Sequence, residues 1–307
     1  MMSLISLLIA LAAERYLSSP FWQFKTYYQQ YLMLLSNFKI LDKSWKNGVA
    51  TSVLLLAPVL AVYFILMLID DSFLHFVFST VVLIICFGSF ATRDTYKKYL
   101  MAAFRGELTT CELYHSQLIQ DKNLLKMDFG QTLIWLNYRY YIAIMLFFLL
   151  FGASGAVFYR LLTTLLEKQA VDESTEALSE KGSEVNEAFD EKEIEADTLP
   201  TRMTPDVYSY FNQLLFWLDW LPVRLTSFGY IMVGHFSKAL PVWLESFFNI
   251  NKSADQVLGD VAKKSEDTMI DIQDCTAEPC LLVRLAKRNL LLLLAVVAVL
   301  TLSGVIS

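Results

Sequence analysis

Polar side chains lie at the edges of the apolar segments of this chain, where they could bind an anion. The clearest cases are Asn137 and Arg139 in the stretch WLNYRYY, and Asp219 and Arg224 in WLDWLPVRL. A guanidinium group binds phosphate or carboxylate through two parallel hydrogen bonds. We therefore predict one polar ligand-binding site at the membrane face, lined by these four residues. The full set of candidates is Glu14, Arg15, Asn137, Arg139, Arg160, Asp219, Arg224, His235 and Lys238.

Each of these charges also has a structural explanation. Arginine side chains near helix ends extend to the lipid headgroups without any specific role. Asp219 could pair with Arg224 across Pro222, which would satisfy both charges. An ionisable group at membrane depth is usually paired or functional. For each residue taken alone, a structural role is favoured over ligand binding.

The sequence contains none of the common signatures of catalysis or metal binding. A P-loop, a nucleophile elbow, a dinucleotide-binding fingerprint and zinc-ligand spacings are all missing. The histidines His75, His115 and His235 are far apart in the sequence. Cys275 and Cys280, in CTAEPC, could form a disulfide bond on an oxidising side of a membrane. We predict no catalytic residue, no metal, no cofactor and no nucleic-acid partner.

The composition indicates a membrane protein. Hydrophobic residues make up 55% of the 307 positions, mean hydropathy is +0.44, and only 18% of residues are charged. A helix needs about 20 apolar residues to cross a bilayer, and only helices or closed barrels satisfy their backbone groups in lipid. We therefore expect an all-α polytopic integral membrane protein with amphipathic interfacial helices and cytoplasmic helical segments. The apolar segments are 49–69, 72–91, 141–158 and 289–307.

We expect four regions along the chain. They are an N-terminal membrane region (1–166), an acidic disordered loop (167–200), an amphipathic membrane-interface region (201–250), and a polar segment with a C-terminal transmembrane helix (251–307). The first region divides into a short N-terminal helix, a hairpin at 49–91, a cytoplasmic segment at 92–132 and a membrane segment at 133–166. The N-terminal stretch could instead be a signal peptide, but it lacks the basic start of one.

Basic residues predict the orientation in the membrane. Lysines and arginines flank the hairpin 49–91 on both sides, whereas Asp70 and Asp71 lie at its tip. Because cytoplasmic loops are enriched in Lys and Arg, the tip should face outward and residues 15–47 inward. Arg284, Lys287 and Arg288 likewise predict a cytoplasmic start for the last crossing.

The side on which the acidic loop lies depends on the segment 141–166. A full crossing puts the loop outside, whereas a turn near Gly152 and Gly155 keeps it inside. The full crossing is slightly favoured. The loop carries twelve acidic and three basic residues, which is typical of a solvated, disordered segment. In the region after it, Pro222 and Pro241 should break the chain into separate helices.

Four stretches, in order, resemble the AmpE family of bacterial inner-membrane proteins. They are Glu14-Arg15 after a short apolar start, WLNYRYYIA at 135–143, LDWLPVRL at 218–225 and GHFSKALPVW at 234–243. The resemblance spans most of the chain, and the acidic segment 167–200 looks like an insertion. It implies a multi-pass protein of the bacterial inner membrane with a role in β-lactamase induction and peptidoglycan-recycling signalling. The family is usually encoded beside a cytoplasmic anhydro-muropeptide amidase, which is a candidate partner.

The chain is more distantly similar to membrane synthases of the cobalamin pathway (CobD/CbiB type). VFYRLLTTL at 157–165 resembles their GALAYKAINTLDS stretch, and WLPVRL resembles WIPARLT. Where those enzymes carry Glu-Asn-x-x-Asp-Gly, residues 135–140 are Trp-Leu-Asn-Tyr-Arg-Tyr. The loss of these carboxylates argues against the same ligase chemistry. We expect a non-catalytic regulator or ligand sensor.

Two other functions remain open from the sequence. A membrane enzyme of the CobD/CbiB type, amide-forming and nucleotide- or magnesium-dependent, would need Glu14, Glu107 and Asp219 to converge on one cavity. A transporter of a muropeptide or a related ligand predicts inverted repeats, and the sequence shows no repeat. The partners expected of the regulator are membrane lipids, the muropeptide amidase or an anionic cell-wall-derived ligand, and a homo-oligomer is compatible with the sequence.

Overall fold

A computed structural model shows that the protein is helical. It describes residues 2–17, 20–37, 48–87, 90–122, 124, 127–182, 204–266 and 276–304. Within these ranges the regular structure is helical, which confirms the predicted all-α class. The helices are α1 (Met2–Tyr16), α2 (Phe24–Asn37), α3 (Gly48–Leu68), α4 (Ser72–Phe87), α5 (Phe90–Phe104), α6 (Leu108–Lys122), α7 (Phe129–Asn137), a π-helical turn (Tyr138–Ile142), α8 (Ala143–Gly182), α9 (Pro205–Val233), α10 (Phe236–Phe248), α11 (Ala254–Ser265) and α12 (Ala277–Leu302).

Three helical stretches of the described chain are long and apolar enough to cross a membrane. They are Thr51–Leu68, Phe129–Gln169 and Ala277–Leu302. A fourth span results if Ser72–Phe87 and Thr92–Phe104, bent by 42°, are counted together. The protein is therefore an integral membrane protein, as its composition predicts.

Helix α3 shows how such a span meets lipid. Its exposed side chains Val53, Leu56, Leu60, Phe64 and Met67 recur every three or four residues. This spacing places them along one face of the helix. In water such a face would be costly, whereas in a bilayer it contacts acyl chains. On its buried side, α3 packs against α8 through residues such as Leu54 and Leu55.

The chain reverses direction at Gly152, inside α8. Its φ of 68° and ψ of −159° interrupt the helix, in a region of backbone space that only glycine adopts readily. The rings of Phe147 and Tyr159 stack with centroids 4.8 Å apart. Twelve residues of continuous helix would separate them by about 18 Å. The stretch 129–182 is therefore a helical hairpin with its tip at Gly152.

This hairpin corrects the expectation for 141–166. The single full crossing favoured from the sequence is wrong, because the chain turns back at Gly152, one of the two glycines proposed for a turn. The second arm brings Glu167 beside Lys122 at the end of α6. The cytoplasmic position expected for α6 from its basic residues would place the end of this arm on the same side. Helix α8 also continues to Gly182, past the expected start of the acidic loop at 167. The remainder of that loop, 183–200, lies outside the described residues.

The two prolines of the amphipathic region do not break helices, contrary to expectation. Pro222 lies inside α9 and Pro241 inside α10, and the boundary falls at Gly234 instead. A buried proline removes one backbone hydrogen bond. At Pro222, the Thr226 hydroxyl donates 2.7 Å to the proline carbonyl. This bond does not replace the one that the proline removes, which would go to the Leu218 carbonyl one turn earlier.

Helix α11 fixes α9 and α10 against α7. Its apolar side chains Val257, Leu258, Val261 and Ala262 are fully buried, at the spacing of one helix face. It contacts α9, α10 and α7. Near its end, Lys263 pairs with Asp128, just before α7. The C-terminal half of the chain is thereby held against the first arm of the hairpin.

Candidate functional site

Asp219 is a buried carboxylate held by two tyrosines. The Tyr138 hydroxyl donates a hydrogen bond of 2.7 Å to Asp219 Oδ1, and the Tyr159 hydroxyl donates one of 2.9 Å to the same oxygen. Tyr138 begins the π-helical turn, Tyr159 lies on the second arm of the hairpin, and Asp219 belongs to α9. All three side chains are buried. The carboxylate therefore joins three separate segments.

Arg139 lies next to this carboxylate. It interacts electrostatically with Asp219 and Glu167, and it donates a hydrogen bond to the Tyr159 oxygen. Its guanidinium carbon is 5.0 Å from the centroid of the Trp135 ring. Its Nε is buried and has no hydrogen-bond partner among the described residues. Arg139 thus has donor capacity left over.

A second carboxylate, Glu167, is held in the same way. The Tyr140 hydroxyl donates to its two oxygens at 3.0 and 3.2 Å. Lys122 Nζ lies 3.7 Å from Glu167 Oε2 and also donates to the Tyr140 hydroxyl. Burial lowers the pKa of Lys122, but the Glu167 carboxylate and Tyr140 raise it above its ordinary value. Lys122 is therefore a cation at neutral pH.

Arg160 completes the arrangement. Its guanidinium carbon is 4.3 Å from the centroid of the Tyr140 ring and 5.5 Å from that of Phe24. The side chain is only 6% exposed. Its Nε and Nη1 are buried and find no hydrogen-bond partner in the part of the chain that the structure describes. A buried guanidinium with unused N–H groups is costly unless a ligand or water satisfies it.

We call these eight residues the polar cluster. They are Lys122, Tyr138, Arg139, Tyr140, Tyr159, Arg160, Glu167 and Asp219. Three are cations and two are carboxylates, so with all five ionised the cluster carries one excess positive charge. The unpaired nitrogens belong to the arginines. This arrangement can accept an anion that receives N–H bonds.

The cluster is built around a π-helical turn. Such turns are rare and occur frequently at functional sites. This turn, Tyr138–Ile142, places Tyr138 against Asp219 and Tyr140 against Glu167. Two tyrosines only two residues apart thereby hold two different carboxylates.

Arg224 lies outside the polar cluster, which corrects the expected four-residue site. Its guanidinium donates to three carbonyls, those of Trp220 (3.1 Å), Ser246 (3.2 Å) and Asn249 (3.3 Å). Two side chains that are five positions apart on one helix point in directions about 140° apart. Arg224 therefore points away from Asp219, and the pairing across Pro222 is not formed. Arg224 instead satisfies carbonyls at the end of α10.

The other candidates are not brought together. Glu14 forms an ion pair of 3.2 Å with Arg93. Arg15 is exposed at the end of α1, and His235 and Lys238 are exposed at the start of α10. Asn137 is half-buried, and its Oδ1 has no hydrogen-bond partner among the described residues. Of the nine candidates, the polar cluster contains only Arg139, Arg160 and Asp219.

Five members of the polar cluster were missed by sequence reasoning. Glu167 was assigned to the acidic loop and Lys122 to the cytoplasmic segment 92–132, because their sequence neighbours are polar. The tyrosines Tyr138, Tyr140 and Tyr159 were taken as part of apolar or interfacial runs. Their hydroxyl groups were the available signal, since a buried tyrosine hydroxyl usually finds a partner.

The carboxylates required by an enzyme do not converge. Glu14 contacts Arg93, Asp219 contacts Tyr138 and Tyr159, and Glu107 is exposed. Within the described ranges, no group of three His, Cys, Asp or Glu side chains could hold a metal ion. Cys275, the expected partner of Cys280, lies outside the described residues.

The fold and this site define a helical membrane protein with a buried, positively biased polar cluster. The sequence matches the model of the family "regulatory signalling modulator protein AmpE" over residues 2–211 and 194–307. The chain therefore belongs to the AmpE family. It is 27% identical to the protein AmpE of Shigella flexneri over 231 residues, which cover 72% of each chain. No solved structure matches.

Proposed function

We propose that this protein is a non-catalytic regulator in the bacterial inner membrane that senses an anionic ligand through the polar cluster. The observation that carries this proposal is the buried Arg160 side chain, whose Nε and Nη1 have no partner among the described residues. The excess positive charge of the cluster supports it, because an anion would both neutralise the charge and accept the unused N–H bonds. Membership of a family of regulatory signalling modulators is consistent with this role.

The process we propose is β-lactamase induction linked to peptidoglycan recycling. A muropeptide carboxylate or a phosphate-bearing lipid has the anionic group that the arginines would bind. A cytoplasmic muropeptide amidase is the proposed protein partner. The positive-inside pattern supports a cytoplasmic position for Lys122, on the same side as the proposed amidase. The candidate spans and the hairpin at Gly152 support a multi-pass topology.

Ligand binding would reach the rest of the protein through Lys122. This residue ends α6 and is tied to the hairpin through Tyr140 and Glu167. An anion at Arg160 would compete with Glu167 for the surrounding cations. The link between α6 and the hairpin would then weaken. The ligand would therefore bind the arrangement with α6 released more tightly than the arrangement with α6 attached.

The proposal is tested by β-lactamase induction in cells whose own copy of the gene is deleted. Arg160→Gln keeps a polar side chain of similar length but removes the charge, and it should abolish the response that the wild-type gene restores. Arg15→Gln is the matched control, since Arg15 is exposed and outside the polar cluster. Membrane fractions are blotted for both variants. Full induction with Arg160→Gln at normal membrane levels would refute the proposal.

A further inference from the structure

A cavity lies at the tip of the hairpin, away from the polar cluster. Its volume is about 490 Å³, within the range of about 300–1,000 Å³ that is typical of small-molecule sites. The starts of α1 and α4, the end of α3 and the hairpin tip at Phe148–Ser154 form its walls. Four separate segments of the chain thus enclose it.

The walls are apolar with a few hydroxyl groups. Leu66, Phe76 and Phe148 supply hydrocarbon surface, and four serines supply hydroxyls: Ser3, Ser6, Ser79 and Ser154. The Ser3 oxygen is buried and has no hydrogen-bond partner among the described residues. A mainly apolar cavity with a single unsatisfied polar atom fits a ligand that is mostly hydrocarbon.

The cavity is continuous with the lipid-facing surface. Met67, on its rim, is 69% exposed and ends the apolar stripe of α3. Phe151, also on the rim, is 64% exposed, and its neighbour Leu150 is 68% exposed. Because these side chains lie at the ends of candidate membrane-crossing helices, the opening lies where the acyl chains meet the headgroups. A hydrocarbon chain can therefore move in from the side without passing through water.

Charges at the rim favour one kind of headgroup. His75 lines the opening, and its backbone N–H donates 2.9 Å to the carbonyl of Asp71. Asp70 and Asp71 do not line the cavity but lie exposed in the turn just before α4, where Asp71 Oδ1 accepts the Phe73 N–H at 2.8 Å. An anionic headgroup would be repelled there, whereas the ammonium of a zwitterionic lipid would be attracted.

We propose that this cavity is a specific lipid site that holds one acyl chain of a phospholipid whose headgroup carries an amine. The apolar walls bury the acyl chain, because an acyl chain that moves from the bilayer into a fitted cavity gains packing contacts. The carboxylates of the α3–α4 turn select the amine. The site is separate from the polar cluster and does not depend on the regulatory role proposed above.

The test uses the full chain purified from vesicles that contain equal amounts of phosphatidylethanolamine and phosphatidylglycerol. Native mass spectrometry should show one retained phosphatidylethanolamine per chain. Ser79→Phe and Ser154→Phe fill the cavity and should each lower retention by about tenfold or more. Leu150→Phe is the control, because Leu150 is exposed beside the cavity but does not line it. Retention unchanged in both filled variants, or preferential retention of phosphatidylglycerol, would overturn the proposal.

A second measurement needs no substitution. Phosphatidylethanolamine with a photoreactive diazirine at the end of one acyl chain is incorporated with the wild-type protein and irradiated. The cross-linked peptides should come from the cavity walls, at residues 2–6, 63–67, 75–79 and 148–154. Labels distributed evenly over the exposed faces of α3 and α12 would show ordinary annular lipid and would reject a specific site.

Discussion

The Tyr140 hydroxyl lies 3.0 Å from Glu167 Oε2, although 27 residues separate the two along the chain. An unbroken helix would hold them about 40 Å apart. This contact shows that the second arm of the hairpin returns to the level of the first. It also brings Arg139 of the first arm close to Glu167 of the second arm, and both belong to the polar cluster.

Loss of the Tyr159 hydroxyl should destabilise the fold. Tyr159→Phe removes one of the two hydrogen bonds to the buried Asp219 carboxylate, and bonds to charged groups contribute about 1.5–3 kcal/mol. We expect a lower free energy of unfolding by that amount. Thermal unfolding in detergent measures it, with Tyr210→Phe, at a 63% exposed tyrosine, as control. Equal melting of the two variants would show that the bond to Asp219 adds no stability.

The reversal at Gly152 should tolerate no side chain. A residue with a Cβ is strained at its φ of 68° and ψ of −159°, at a cost of about 1–3 kcal/mol. Gly152→Ala and Gly152→Asn should therefore both lower the melting temperature, although open space surrounds the Cβ position. Leu150→Ala, at an exposed neighbour, is the control. A neutral Gly152→Ala variant would be incompatible with this turn.

The half-buried ion pair of Lys122 and Glu167 should matter more than an exposed one. Lys122→Gln leaves Glu167 without its nearest cation and should cost more than 1 kcal/mol, whereas Lys98→Gln, in an exposed pair with Asp94, should cost less than about 0.5 kcal/mol. Chemical unfolding of both variants provides the comparison. Because the pKa of Lys122 is raised in the folded state, its contribution is present at neutral pH and is lost only as pH rises through that value. Equal costs would contradict the burial of this pair.

The orientation of the chain can be tested at two exposed turns. Asp71 lies between α3 and α4, and Glu107 lies between α5 and α6. With the native cysteines replaced by alanine, Asp71→Cys should react with an impermeant maleimide added outside spheroplasts. Glu107→Cys should react only after lysis, because positive-inside orientation places this turn in the cytoplasm. Reaction of both from outside would refute the orientation.

Composition and apolar segment length were sufficient to predict the all-α membrane class, because lipid admits few backbone structures. Arg139, Arg160 and Asp219 were also chosen as candidates from the sequence, since a charge within an apolar run is conspicuous. Arg224 was wrongly expected beside Asp219. The two residues are close in sequence, but they lie on different faces of α9. No local pattern marks Lys122 or Glu167, since their burial results only from the hairpin.

The two prolines and Gly152 also show that local sequence does not determine where a helix breaks. Pro222 is a strong helix-breaking signal, yet α9 continues through it while packed against α8, α11 and α12. Gly152 is one of two nearby glycines in an apolar run. The small residues of this run are equally compatible with tight helix packing. Only the contacts across the hairpin, such as Phe147 with Tyr159, distinguish a reversal from a crossing.

Anion binding to the purified protein tests the central claim most directly. Inorganic phosphate is titrated against wild type, Arg160→Gln and Arg15→Gln while the melting temperature is recorded, because a ligand that binds only the folded state raises it. We expect phosphate to stabilise wild type and Arg15→Gln, and chloride at equal ionic strength to have a smaller effect. Arg160→Gln should show no phosphate-specific shift. The same shift in all three proteins, or none in wild type, would contradict an anion site at the polar cluster.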